Sequence, residues 1–119
     1  MKTNVVLKGE SPVTAILEIE GLVESMDARN LRSLFEDIDK KGAKRVIVDL
    51  TGSSFICSAG ISVLVMFSNV KRSQWGDDPV VLVGLAPAVL QAMNVLGLTG
   101  LFKVIEKMDE ALTFYNITN

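Results

Sequence analysis

The chain has 119 residues, 49% hydrophobic and 22% charged, with 12 Lys and Arg against 14 Asp and Glu for a net charge of −2. That length fits one domain over residues 1–119, and the apolar content is too high and the net charge too low for a disordered chain. With no His and a single Cys, a Cys/His zinc site, a Ser–His–Asp triad, a Cys–His dyad and an internal disulfide are all excluded.

Residues 4–8 read as a first strand, and Glu10, Ser11 and Pro12 as a turn. Residues 13–20 read as a second strand, because Val13, Ala15, Leu17 and Ile19 alternate with Thr14, Ile16, Glu18 and Glu20. The period then changes. Leu31, Leu34, Phe35 and Ile38 follow the spacing of a helix with one buried face. Asp27 suits its N-cap and Gly42 its stop. Arg29, Arg32, Glu36 and Asp39 fall on the opposite, solvated face. Lys40, Lys41, Lys44 and Arg45 form a small basic cluster, and its first two members complement a helix end. A face for nucleic acid is therefore not expected.

Residues 45–50 hold the β-branched run Val46-Ile47-Val48, the pattern of a strand covered on both faces. A second helix is expected over residues 58–74. Ile61, Leu64, Val65 and Phe67 recur at helical intervals, while Val63 and Met66 fall on other faces, so the helix is apolar nearly all round. It is either deeply buried or presents an apolar patch, which leaves weak self-association as a homodimer open. Trp75, Gly76, Asp77, Asp78 and Pro79 form a loop, and residues 80–83 a buried strand. Pro87 opens a third helix with Val89, Leu90, Met93 and Leu96 on its apolar face, stopped by Gly97. Residues 102–105 form the last strand, and Asp109 caps a final helix through Ala111, Leu112 and Tyr115. The order β-β-α-β-α-β-α-β-α predicts an α/β fold, with helices packed on a mixed central sheet. No apolar run reaches the ~18 residues of a membrane span, and residues 1–10 lack the apolar stretch of a signal peptide. A cytoplasmic protein without membrane insertion is expected.

The segment Thr51-Gly52-Ser53-Ser54-Phe55-Ile56-Cys57-Ser58-Ala59-Gly60 joins a buried strand to a helix start. Unpaired first-turn amides and the positive end of the helix dipole favour a phosphate there, free or attached to Ser58. Ala59 and Gly60 leave the approach to Ser58 uncrowded. The same hydroxyl also suits a plain N-cap. No Gly-Lys-Ser/Thr phosphate loop is present, and no base lies nearby in sequence to activate Ser58. Catalysis by the chain is not expected, and neither is a metal or cofactor.

The stretch Val46-Ile47-Val48-Asp49-Leu50-Thr51-Gly52, followed by Phe55-Ile56-Cys57-Ser58-Ala59-Gly60-Ile61, resembles the core signature of STAS domains. In that signature a hydrophobic strand ends Asp-Leu-Ser/Thr, and an Asp-Ser-x-Gly-Leu/Ile motif opens a helix. Gly21-Leu22-Val23-Glu24, Val81-Leu82-Val83-Gly84-Leu85-Ala86-Pro87 and Leu96-Gly97-Leu98-Thr99-Gly100-Leu101-Phe102 are similar to further passages of the family. A short chain of this kind looks most like a bacterial anti-sigma-factor antagonist. The resemblance implies phosphorylation at Ser58 by a partner that is both anti-sigma factor and serine protein kinase, with a serine phosphatase to reverse it. It further implies a partner-binding surface made by Glu24, Ser54, Ile56, Cys57, Ser58, Ala59, Gly60, Ile61, Ser62 and Met66. Two positions depart from the usual pattern: Cys57 and Glu24 stand where Asp is more common. An alternative within the same family is an accessory subunit that binds the ATPase of a lipid-transport ABC system and needs no phosphorylation.

Overall fold

A computed structural model describes residues 1–9, 13–76 and 80–115. The expected turn at Glu10, Ser11 and Pro12, and Asp77, Asp78 and Pro79 of the expected loop, lie outside the described residues. The strands are β1 (Lys2–Lys8), β2 (Thr14–Glu20), β3 (Arg45–Gly52), β4 (Val80–Val83) and β5 (Phe102–Ile105). The helices are α1 (Ala28–Lys40), α2 (Ser58–Trp75), α3 (Pro87–Val95) and α4 (Met108–Phe114), with 3₁₀ turns at Ser25–Asp27 and Thr99–Leu101. The strands form one sheet in the order β1-β2-β3-β4-β5. β1 runs antiparallel to β2, and every later pairing is parallel. The mixed α/β architecture expected from the sequence is the one observed.

Alternation along the central strands divides the interior in two. Ala15, Leu17 and Ile19 of β2, Val46, Val48 and Leu50 of β3, and Val80 and Leu82 of β4 face one side. Against them pack Leu31, Phe35 and Ile38 of α1, Ile61, Leu64 and Phe67 of α2, and Val89 and Met93 of α3. Ile16, Ile47, Val81, Val83 and Ile105 face the other side, where Ala111 of α4 and Tyr115 cover them. β3 and β4 are thus buried on both faces, as their β-branched runs require. The α1 and α2 cores meet through Phe35 and Phe67, whose rings stack 4.2 Å apart.

Several helix ends differ from expectation. Asp27 does not cap α1 with its side chain. The chain first makes the 3₁₀ turn, and the Asp27 carboxylate reaches back to accept the Glu24 backbone N–H at 2.9 Å. Asp109 does not cap α4 either; Lys107 holds the N-cap position and Asp109 lies in the first turn. Leu96 leaves the apolar face of α3, because the helix stops at Val95 and Leu96 is exposed at the turn into Gly97, whose φ is +72°. Gly42, with φ +76°, does end α1 as expected. Asp39 is not simply solvated: its carboxylate sits 2.7 Å from the ammonium of Lys71. Lys71 is itself buried in α2 and also donates to the Ala43 carbonyl at 2.6 Å.

Candidate functional site

Parallel pairing of β2, β3 and β4 brings their carboxyl ends to one edge of the sheet, where α/β folds place their sites. Backbone hydrogen bonds stitch the loops together there. Gly21 N–H donates to Gly52 O at 3.0 Å, Val23 N–H to Phe55 O at 2.9 Å, and Cys57 N–H to Val23 O at 2.9 Å. Val23 and Ile56 form a single parallel bridge. This seam sets Glu24 beside the Cys57–Ser58 step, two positions far apart in sequence. The loop after β4 closes on the same place. Gly84, with φ +70°, sits against Thr51, and the Thr51 backbone N–H and hydroxyl both donate to Asp49 Oδ1 at 3.0 and 2.6 Å.

Ser58 is the first residue of α2, not its cap. The N-cap is Cys57, whose sulfur accepts the Gly60 N–H at 3.4 Å and whose carbonyl accepts the Ile61 N–H at 3.0 Å. The amides of Ser58 and Ala59 have no intrahelical acceptor. The Ser58 side chain is exposed, and its hydroxyl makes no hydrogen bond among the described residues. A phosphate on that oxygen would face the positive end of an 18-residue helix. Among the described residues there is no cluster of three or more metal-ligating side chains, and no helix is long and apolar enough to cross a membrane.

The sequence-derived surface residues divide by burial. Glu24, Ser54, Ser58, Ala59, Ser62 and Met66 are exposed, and Cys57 is half-buried. Ser58, Ser62 and Met66 form one ridge along α2, at steps of four residues. Ile56, Gly60 and Ile61 are buried and lie beneath this surface. Gly60 does not clear the approach to Ser58. A Cβ there would meet Ile56 Cγ2 and Val23 Cγ1, each at 2.9 Å, so the glycine lets α2 start hard against the loop seam. Exposed apolar side chains at Leu22, Met26 and Phe55 flank the same edge. Met26 and Phe55 are marked in sequence as apolar residues set among polar ones, while Leu22, beside the buried Val23, carries no such signal.

Comparison with known proteins fits this geometry. The family model described as "Mlab, STAS domain" matches residues 6–106. A curated relative from Bordetella bronchiseptica, named "Putative anti-sigma factor antagonist BtrV", is 29% identical over 93 residues, covering 78% of each chain. Among solved structures, TM1081 of Thermotoga maritima superposes with a TM-score of 0.81 at 18% identity, covering 94% of both chains. The anti-sigma factor antagonist SpoIIAA in its unphosphorylated form superposes at 0.74 with 14% identity, covering 98% of this chain and 100% of that one. Its phosphorylated form, from Bacillus, superposes at 0.71 with the same identity, covering 94% and 99%. With a family model spanning most of its length and its five-stranded sheet matching theirs, the chain belongs to the STAS domain family.

Proposed function

We propose that this protein is an anti-sigma-factor antagonist that works by partner switching, with Ser58 as the switch. The observation that carries this reading is the uncapped, exposed Ser58 hydroxyl at the rim of an apolar surface formed by Leu22, Phe55 and Met66. In the unphosphorylated state the surface docks on an anti-sigma factor that is also a serine kinase, and the sigma factor is released. The kinase transfers the γ-phosphoryl group of ATP to the Ser58 oxygen, ADP leaves, and a base of the kinase takes up the hydroxyl proton. The product carries about −1.5 to −2 charges on Ser58. Holding those charges against an apolar partner is costly unless they are paired, so the complex opens without refolding of this domain. A serine phosphatase restores the starting state. The curated antagonist relative and the two phosphorylation states of SpoIIAA support this reading.

The test is affinity for the purified kinase partner. Ser58→Ala should bind constitutively and Ser58→Asp much more weakly, with wild type losing affinity as it is phosphorylated. Equal affinity of all three removes the switch. A second reading is favoured by the family description, which names Mlab, and by Cys57 in place of the usual aspartate. It makes the protein an accessory subunit that docks on the ATPase of a lipid-transport ABC system, with Ser58 unmodified.

A further inference from the structure

The surface between α1 and α2 is not uniform along its length. Arg29, Arg32 and Glu36 lie along one stripe of α1, and Ser62, Met66 and Val70 along the facing stripe of α2. The two helices run side by side in the same sense, since Arg32 meets Met66 and, further on, Asp39 meets Lys71. Two hollows lie between them, one at Ala59 and Ser62 next to the switch serine and one reaching Val70, and they meet at Arg32, Val63 and Met66, where the Arg32–Met66 contact crosses from helix to helix. From Ala59 to Val70 this is about 17 Å, three turns of helix.

Its charge is lopsided. The end beside Ser62 is lined by two guanidinium groups and no carboxylate. Among the described residues Arg29 has no hydrogen bond or ion pair, and Arg32 bonds only the Met66 sulfur, at 3.2 Å. Thioether sulfur is a weak acceptor, so most of the hydrogen-bonding capacity of both arginines is unspent. The protein carries net −2 overall, so this positive patch runs against its general charge. The floor is apolar, through Val63 and Met66, and a thioether adapts its shape to what packs on it. Carboxylates at the far end do not cancel the patch: Asp39 is taken up by Lys71, and only Glu36 remains open there.

We propose that this groove holds an amphipathic acidic helix of the partner protein, its carboxylates paired with Arg29 and Arg32 and its apolar face on Val63, Met66 and Val70. For the identity of the partner, this rests on the antagonist reading above. Arginine suits the role because its planar fork takes a carboxylate in two parallel hydrogen bonds. Arg29 and Arg32 are then specificity-determining residues, and the groove extends the docking surface from Ser58 along α2.

The direct test needs no partner and no kinase. The ¹⁵N-labelled full chain is titrated with a 14-residue helical peptide carrying Leu on one face and Glu on the flanks, and with the same peptide carrying Lys for Glu. The expected result is shifts confined to Arg29, Arg32, Ser62, Val63, Met66 and Val70, with at least tenfold tighter binding of the Glu peptide. That preference should shrink with added salt and vanish in an Arg29→Glu/Arg32→Glu variant, whose exposed substitutions leave the fold intact. Equal response to both peptides, shifts elsewhere, or none at millimolar peptide overturns the proposal. A second arm uses the kinase partner. If Ser58→Ala binds it and adding the two arginine substitutions changes nothing, the groove proposal fails while switching stands. If Ser58→Ala and Ser58→Asp bind it alike, switching fails whatever the peptides do.

Discussion

The sulfur of Cys57 accepts the backbone N–H of Gly60 at 3.4 Å, so the side-chain cap of α2 comes from Cys57 and not from Ser58, the next residue. A helix start must satisfy its first amides, and serine is a common choice for the task. Here the preceding residue takes that place, and the serine hydroxyl is left exposed one position further on. Sulfur accepts weakly, so the cap can be improved or lost by substitution at Cys57. Cys57→Asp should stabilise the fold by about 0.5–1 kcal/mol, through a stronger cap and a negative charge at the positive helix end. Cys57→Ala should destabilise it by about the same amount. Urea unfolding midpoints at unchanged slope read both; coincident midpoints for all three forms would show that the sulfur contact has no weight.

Gly60→Ala tests why the segment that opens α2 carries a glycine. Its new methyl would lie 2.9 Å from Ile56 and from Val23, both of which are buried. Neither can swing aside, so α2 must shift at its first turn. A loss of about 1–3 kcal/mol is expected, as for other overpacked sites. Ala59→Ser, on the exposed neighbour, should be near neutral. Thermal melts of the two variants beside wild type decide it.

Gly84→Ala should be at least as damaging, by about 2 kcal/mol or more, because a side chain there is strained by the positive φ and crowds the Thr51 backbone. A Cβ would lie 2.9 Å from Thr51 Cα. Thr51 cannot yield easily while Asp49 holds both its amide and its hydroxyl. A melting temperature within a degree of wild type would contradict this packing.

The Lys71–Asp39 pair ties α2 to the end of α1 and gives an asymmetric prediction. The lysine side chain is 2% exposed and the aspartate 33%. Asp39→Asn strands a buried ammonium and should cost about 3 kcal/mol or more. Lys71→Met should cost less, because an unbranched apolar side chain can occupy the same buried position and the freed carboxylate, 33% exposed, can reach water.

Acid titration reads the same pair. The Lys71 hydrogen bond is the main force holding the Asp39 carboxyl below its ordinary range. Partial burial opposes it, and the Lys71 charge and Gln74 add to it. A carboxyl depressed in the folded state stabilises above its unfolded value and loses that contribution as pH falls through the folded one. Below about pH 4, wild type should therefore lose stability more steeply than Lys71→Met. Parallel pH profiles would remove the pair from the acid response.

The strands and the face of α1 were legible because side-chain period and β-branching report directly on burial. Val46-Ile47-Val48 reads as a strand covered twice because the run is short and β-branched, and Leu31, Phe35 and Ile38 are all buried as their spacing requires. The start of α1 was not, because a 3₁₀ turn precedes it. Asp27 serves Glu24 three residues back, a reciprocal spacing that the sequence contains but that reads equally well as a forward cap. Lys71 was illegible for a different reason. A lysine in a helix reads as surface, and only the tertiary approach of Asp39 and the Ala43 carbonyl makes its burial tolerable. At the proposed site, the place of Ser58 at the start of α2 was legible from the motif, but the burial of Ile56, Gly60 and Ile61 was not. That depends on the Val23–Ile56 seam, which joins segments about thirty residues apart.

Phosphorylation of Ser58 would select the partner. The most direct measurement is native purification of the protein from its host, read by mass spectrometry for bound proteins and for modification at Ser58. The expected result is a serine kinase bound to the unmodified form and a separate pool phosphorylated at Ser58 without that kinase. A transporter ATPase as the bound protein, with Ser58 unmodified across growth conditions, would contradict it and leave Ser58 as an exposed residue of a constitutive docking surface.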